Sequence, residues 1–311
     1  MKKIAFVFPG QGSQAIGMLN GFAGNAVVAE TIAEASQALG FDLGKLILEG
    51  PKEDLDLTTN TQPVMLASAV AFYRAWIAAG GTLANVVAGH SLGEYSALVA
   101  AGVIQFNDAV PLVRFRAQAM QEAVPVGQGG MAAILGLSDD DVRDACNEAA
   151  QGEVVEPVNF NALAQVVIAG HKSAVERACE VAKAKGAKRA LPLPVSAPFH
   201  SSLLKPASDR LRDYLEGVAF ASPAIPLINN VDVAVVTDAA AIKDALVRQA
   251  ASPVRWVETV QTMASLGVER VIECGPGKVL SGLVKRIHGE LATDAINDQA
   301  SMDALLETIG S

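Results

Sequence analysis

The stretch Ala88-Gly89-His90-Ser91-Leu92-Gly93-Glu94 decides how this chain is read. It centres a serine in Gly-x-Ser-x-Gly. The apolar run Leu83 to Ala88, with Asn85 inside it, predicts a strand entering the motif. The small and apolar segment Leu92 to Ala101, closed by Gly102, predicts a helix leaving it. A serine on such a strand–turn–helix unit is a nucleophile elbow. The turn leaves no room for side chains at its flanks, hence glycine at 89 and 93. The hydroxyl projects from the turn, and the N–H groups that open the helix point where an oxyanion would form.

Outward from the elbow, strand-like runs at Ile4–Phe8, Val86–Ala88 and Val268–Cys274 alternate with helical stretches. That order predicts an α/β fold with a mainly parallel sheet. Thr61 to Ala79 reads as a long helix with Thr61 as its N-cap and Pro63 in its first turn. The pattern changes after Pro125-Val126-Gly127-Gln128-Gly129-Gly130. A strand (Met131–Leu137), a helix (Ser138–Ala150) and strands around Val154–Asn159 and Gln165–Ala169 follow, then a helix (Lys172–Lys185) and a strand (Lys188–Leu193). This βαββαβ order is the split, ferredoxin-like unit. The expected organisation is therefore a small ferredoxin-like domain at 127–195 inserted into a large, α/β-hydrolase-like catalytic domain made of 1–126 and 196–311.

The bulk of the chain narrows its function. Its 311 residues are 51% apolar and 18% charged, a balance for a packed enzyme rather than a disordered chain. A formal net charge of −9 gives no general attraction to nucleic acid or to an anionic membrane. Three scattered cysteines suggest a reducing compartment without a disulfide framework. No Cys/His cluster has zinc-ligand spacing, so no metal is expected. The apolar run at the N-terminus is too short for an export signal, and no uninterrupted run reaches membrane-spanning length. A cytoplasmic location is expected.

A serine nucleophile needs a base, and there are four histidines. His90 lies inside the elbow and points the wrong way for its neighbour. His171 falls in a turn of the small domain, and His288 ends a basic helix where positive charge suits the dipole. His200, in Ser196-Ala197-Pro198-Phe199-His200-Ser201-Ser202, sits where the inserted domain rejoins the large one. Pro198 stiffens the approach, and Ser201 or Ser202 can cap a helix Leu203–Leu215. A solvated loop histidine is the competing reading. Of the twelve acids between Ser91 and His200, Glu94 the first, most read as solvated, as the Asp139–Asp141 run at a helix start does, and none sits at an obvious strand end in the large domain. A Ser–His pair oriented by something other than a carboxylate is consistent with that pattern.

Arg116 lies on the apolar stripe of the helix Asn107–Ala123, with Ala109, Leu112, Val113 and Met120, whereas Arg114 falls on the polar face. A buried guanidinium is costly unless an anion answers it. Either an internal ion pair or a pre-placed receptor for a substrate carboxylate would supply one. Two glycine turns compete for other functions. Gly10-Gln11-Gly12-Ser13-Gln14-Ala15 fits a dinucleotide fingerprint, although Gly17, Gly21 and Gly24 break the helix it requires. Cys274-Gly275-Pro276-Gly277-Lys278 is similar to a phosphate loop but lacks its first glycine and the hydroxyl residue after lysine.

These features together resemble the malonyl-CoA:acyl-carrier-protein transacylases of bacterial fatty-acid synthesis. The resemblance runs through Phe8-Pro9-Gly10-Gln11-Gly12-Ser13-Gln14, Thr61-Gln62-Pro63, Gly89 to Tyr95 and Arg114-Phe115-Arg116. It continues through Asn159-Phe160-Asn161, Val195 to His200, Arg248 to Val254 and Glu273 to Gly277. It implies Ser91 as nucleophile, His200 as its base, and the backbone N–H groups of Gln11 and Leu92 as oxyanion hole. It further implies that Arg116 binds the malonyl carboxylate and that the backbone carbonyl of Gln249 orients the histidine. Asn161 is implied to shape the site, and Phe199 to leave little room for a 2-methyl branch. The chain departs at Ala162-Leu163-Ala164-Gln165, where the family often carries Ser-Pro-Gly-Gln. The implied partners are malonyl-CoA and an acidic acyl carrier protein, with no cofactor, and Lys188, Arg189, Lys285 and Arg286 are candidates for docking the carrier. A serine esterase or thioesterase and a dinucleotide-binding protein are the competing functions, and neither accounts for Arg116.

Overall fold

In the computed structural model, residues 2–195 and 197–309 are described. Their strands are β1 (Lys3–Phe8), β2 (Val86–Gly89), β3 (Gly129–Leu135), β4 (Val155–Ala162), β5 (Gln165–His171), β6 (Arg189–Pro192), β7 (Leu227–Ile228), β8 (Val268–Cys274) and β9 (Ala292–Ile296). β1 runs parallel to β2 with Phe8 beside Gly89, and this pairing brings the first turn of the chain onto the elbow. The sheet is parallel throughout, in the order β7-β2-β1-β8-β9. Its central strand β1 alternates between two cores. Ile4, Phe6 and Phe8 face one with Phe72 and Trp76, and Ala5 and Val7 face another with Trp256 and Met263. Helices cover both faces, so β1 reads as an unbroken apolar run.

The remaining strands form an antiparallel sheet in the order β4-β5-β3-β6. The helices Asp139–Ala150 and Lys172–Ala184 pack on it through Val142, Cys146, Val175 and Cys179. This is the order the βαββαβ reading requires. Strand β4 of the small sheet is tied to the larger part of the chain. Val254 exchanges backbone hydrogen bonds with Val158 and Phe160 of β4. Glu156 of β4 accepts from both the N–H and the hydroxyl of Ser202. The expected domain junction at 195/196 falls on Ser196, which lies outside the described residues, as do the expected outer bounds Met1 and Ser311.

Two local expectations are corrected. The long helix spans Thr58–Ala78, three residues earlier than Thr61 suggests, so Thr61 is interior and Pro63 stands beyond the first turn. The Leu57 carbonyl accepts from the N–H groups of Asn60 and Thr61 and starts the helix, and the Thr61 hydroxyl turns back to the Leu55 carbonyl. Neither Ser201 nor Ser202 caps the helix Lys205–Glu216. Ser201 Oγ donates to the Pro198 carbonyl and Ser202 Oγ to Glu156, so both serines fix the segment that carries His200 instead. No helix among the described residues is long and apolar enough to cross a membrane.

Candidate active site

The elbow is built by exclusion of side chains. A Cβ on Gly89 would lie 1.9 Å from the Gly93 backbone, and one on Gly93 would lie 2.0 Å from the Phe8 carbonyl oxygen. A Cβ on Gly10 would lie 2.6 Å from the His90 carbonyl oxygen, so the loop after β1 also needs glycine to reach the elbow. Ser91 takes φ +51° and His200 φ +66°, both in the left-handed region that side chains disfavour. A serine in that conformation cannot use a regular ladder, and its peptide groups are gripped by side chains. Asn230 Oδ1 accepts from the Ser91 N–H at 2.8 Å, and Gln249 Nε2 donates to the Ser91 carbonyl at 3.0 Å.

Ser91 Oγ lies 2.7 Å from His200 Nε2, and His200 Nδ1 lies 2.8 Å from the Gln249 carbonyl oxygen. A carbonyl only accepts, so Nδ1 carries the proton and Nε2 offers its lone pair to the serine hydroxyl. Burial, and after it the Arg116 charge, pushes the His200 pKa down to about 3. The imidazole is therefore a neutral, ready base across the physiological range. Accordingly, kcat/KM for acylation of Ser91 should keep most of its pH 7.5 value down to about pH 5.5. An acid limb tracking an ordinary histidine, near 6.5, in a pH–rate profile would contradict this.

Arg116, only 1% exposed, reaches the same hydroxyl. Its Nη2 donates to Ser91 Oγ at 3.2 Å and to Gln249 Oε1 at 2.9 Å, and its Nη1 donates to Gln62 Oε1 at 2.7 Å. Its guanidinium also stands over the Tyr95 ring at 5.3 Å. Among the described residues no carboxylate pairs with it directly. The internal ion pair is therefore not what answers this charge. Neutral oxygens solvate it, and Arg116 lines a cavity of about 580 Å³ together with Gln11, Ser91, Met131, Phe199 and His200. The N–H groups of Gln11 and Leu92 have no acceptor among the described residues, and both residues border that cavity.

Not every candidate converges. Asn161 binds His90 at 2.7 Å rather than lining the cavity, where Asn159 stands instead. Lys188, Arg189, Lys285 and Arg286 do not line it either. His171 Nδ1 accepts from the Val154 N–H, a structural task in the small sheet. The loop after β1 leads into a short 3-10 turn, Asn20–Phe22, and not into a helix whose N-terminus could receive a pyrophosphate. In the turn after β8 the Glu273 carboxylate accepts from the N–H groups of Leu280 and Ser281, which fills the place an anion would take.

Three residues at the site escape the sequence reading. Gln62 stands out in the sequence only within the Thr61-Gln62-Pro63 match, and Asn230 carries no signal because it follows a strand of two residues. Glu94, which nothing in the sequence separates from the mostly solvated acids, is 1% exposed. Burial raises its pKa to about 7, against the opposing pull of its hydrogen bonds from Gln249 and Asn230. Its neighbourhood in the motif Gly-x-Ser-x-Gly-Glu was visible, but its partners lie far along the chain.

Residues 5–300 match the acyl transferase domain family. The chain is 57% identical to the malonyl CoA-acyl carrier protein transacylase of Salmonella typhimurium, over 98% of this chain and 99% of that protein. The chain belongs to the malonyl CoA-acyl carrier protein transacylase family. Among solved members, the acyl-carrier-protein S-malonyltransferase of Burkholderia pseudomallei superposes with a TM-score of 0.97 at 70% identity, covering 98% of this chain and 99% of that one. A malonyl-transacylase in complex with a type II PKS acyl-carrier protein superposes equally well, TM-score 0.97 at 54% identity, covering 98% and 99%. The fold of the transacylase family is thus present over essentially the whole chain.

Proposed function

We propose that this chain transfers a malonyl group from malonyl-CoA to the phosphopantetheine thiol of acyl carrier protein in the cytoplasm, through a malonyl-serine intermediate, in fatty-acid biosynthesis. The observation that carries the reading is the convergence on one hydroxyl. Ser91 Oγ sits 2.7 Å from a neutral histidine nitrogen and 3.2 Å from a buried arginine with no carboxylate partner among the described residues. A nucleophile, its base and a receptor for an acid group then share one cavity.

In the first half-reaction His200 Nε2 takes the Ser91 proton as Oγ attacks the thioester carbonyl. The oxyanion is received by the N–H groups of Gln11 and Leu92, and Arg116 holds the malonyl carboxylate. The C–S bond breaks, and the CoA thiolate leaves with the proton from His200. In the second half-reaction the carrier thiol gives its proton to His200 and attacks the malonyl ester. The C–O bond breaks and Ser91 recovers the proton. Phe199, half-buried and facing the same cavity, limits the width available beside the malonyl α-carbon.

The test is intact-mass measurement after treatment with malonyl-CoA, with Ser91→Ala as the control. A malonyl adduct on the unaltered protein that disappears on adding holo carrier protein supports the reading, and an adduct of equal size on the Ser91→Ala protein would refute it. A transferase must also deny water the role of acceptor. His200 is oriented by a carbonyl, not a carboxylate, and so receives less charge stabilisation when protonated. A carrier thiol, far more acidic than water, needs little help from such a base, whereas water depends on it, so release of free malonate should be slower than transfer by about 100-fold or more. Assay of malonate without carrier protein decides it, since release as fast as transfer would make the chain a thioesterase.

A further inference from the structure

The elbow is anchored on one carboxylate oxygen that the transfer mechanism does not use. Glu94 Oε2 accepts from the Asn230 N–H at 3.0 Å and from Gln249 Nε2 at 2.8 Å. Asn230 and Gln249 in turn hold the two sides of the Ser91 peptide, and Asn230 Nδ2 also donates to the Gly89 carbonyl at 2.7 Å. By receiving Nε2, Glu94 fixes which way the Gln249 amide faces. Its Oε1 must then point at Arg116, as it does at 2.9 Å. The same residue lends its backbone carbonyl to His200. Nucleophile, base and arginine are all referred to Glu94 through a single glutamine.

Glu94 also supplies a negative charge to the field at Arg116 without touching it. We propose that Glu94 is a positioning residue that sets the selectivity for acid-bearing acyl groups, because its charge competes with the substrate carboxylate for Arg116. The inference rests on the malonyl-transfer reading above. It makes selectivity depend on whether Glu94 is ionised. The groups around it leave it as the one that changes near neutrality. Burial pulls the Arg116 pKa down, yet a guanidinium keeps its proton at these pH values; Tyr95 beside it is pushed up to about 12, and Asp232 is held ionised by Arg248. His200 and the His90 ring are both shifted down by burial. With Glu94 raised to about 7, its carboxyl is neutral at pH 6 and ionised at pH 8.5. Arg116 is thus more available to a substrate carboxylate at the lower pH.

The experiment measures kcat/KM for acylation of Ser91 by malonyl-CoA and by acetyl-CoA at about pH 6 and 8.5. It uses the unaltered protein, Glu94→Gln and Glu94→Ala. Both anchoring bonds use one oxygen, so a glutamine amide oxygen can replace Glu94 Oε2 and keep them while the charge goes. The unaltered protein should lose malonyl-over-acetyl preference by roughly fivefold between the two pH values. Glu94→Gln should be flat with pH and, at pH 8.5, about fivefold more selective for malonyl than the unaltered protein. Glu94→Ala should lose acylation by both donors together, and Glu94→Gln should restore most of that loss. Equal preference in the unaltered protein and Glu94→Gln at both pH values overturns the charge competition. The pH profile of the unaltered protein tests it without any variant. A protein that gains no malonyl adduct at all fails the transfer reading instead, and the mass measurement separates the two failures.

Discussion

Arg116→Ala should erase the preference for malonyl over acetyl thioesters, with the ratio of the two kcat/KM values falling by about 100-fold or more. The size follows from burial. A substrate carboxylate entering the cavity loses its water, and only a fixed cation and its N–H groups replace that solvation. Removing one partner of a buried charge pair costs about 3 kcal/mol or more, far beyond the value of an exposed pair. Acetyl transfer has no such carboxylate and should suffer only from disturbance of the shared contacts with Gln62, Gln249 and the Ser91 hydroxyl. Taking the ratio cancels that disturbance, because both donors use the same Ser91 and His200. Arg116→Lys should fall between, since it keeps the charge but cannot hold Gln62, Gln249 and a carboxylate in one plane. A ratio unchanged in Arg116→Ala would show that the arginine only braces the two glutamines.

The arginine also shows what was legible before the fold was known. Its place on the apolar stripe of its helix is a local, periodic signal, and periodicity survives in sequence. The elbow glycines, the apolar alternation of β1 and the helix–strand order of the small sheet are local in the same sense. Glu94 was not legible, for two physical reasons. An acid in the first turn of a helix is ordinary at the positive end of the dipole, so nothing marks it as buried. What buries it arrives from 136 and 155 residues away, as Asn230 and Gln249. Asn230 reaches the site just after β7, whose two residues are too short to show a period. The histidine's partner illustrates the same limit. A search for a triad acid finds none because the acceptor is a backbone carbonyl, which every residue carries; only the family resemblance, and then the 2.8 Å distance to Gln249, singles one out.

Gly89→Ala should abolish the site while Gly282→Ala, the same chemical change, should be harmless. At Gly89 the added methyl would stand 1.9 Å from the Gly93 carbonyl carbon and 2.3 Å from the Glu94 nitrogen. Both are backbone atoms of the helix that opens at Gly93, so no rotamer change relieves the overlap. The strand end or the helix must move by an ångström or more. Either movement takes Ser91 out of the grip of Asn230 and Gln249 and displaces Oγ from His200 Nε2. A misplacement of about 1 Å costs roughly 100-fold in rate, and the strain itself should lower stability by several kcal/mol, on the order of 4. Gly282 lies inside the helix Val279–Ile287 with nothing within 4 Å of an added Cβ. Alanine there should leave malonylation unchanged and raise stability by up to about 1 kcal/mol, through helix propensity. Malonyl adduct formation and thermal unfolding of the two proteins would measure both effects. If Gly89→Ala acylated within about threefold of the unaltered rate, the tight packing of strand on helix could not be what holds the nucleophile.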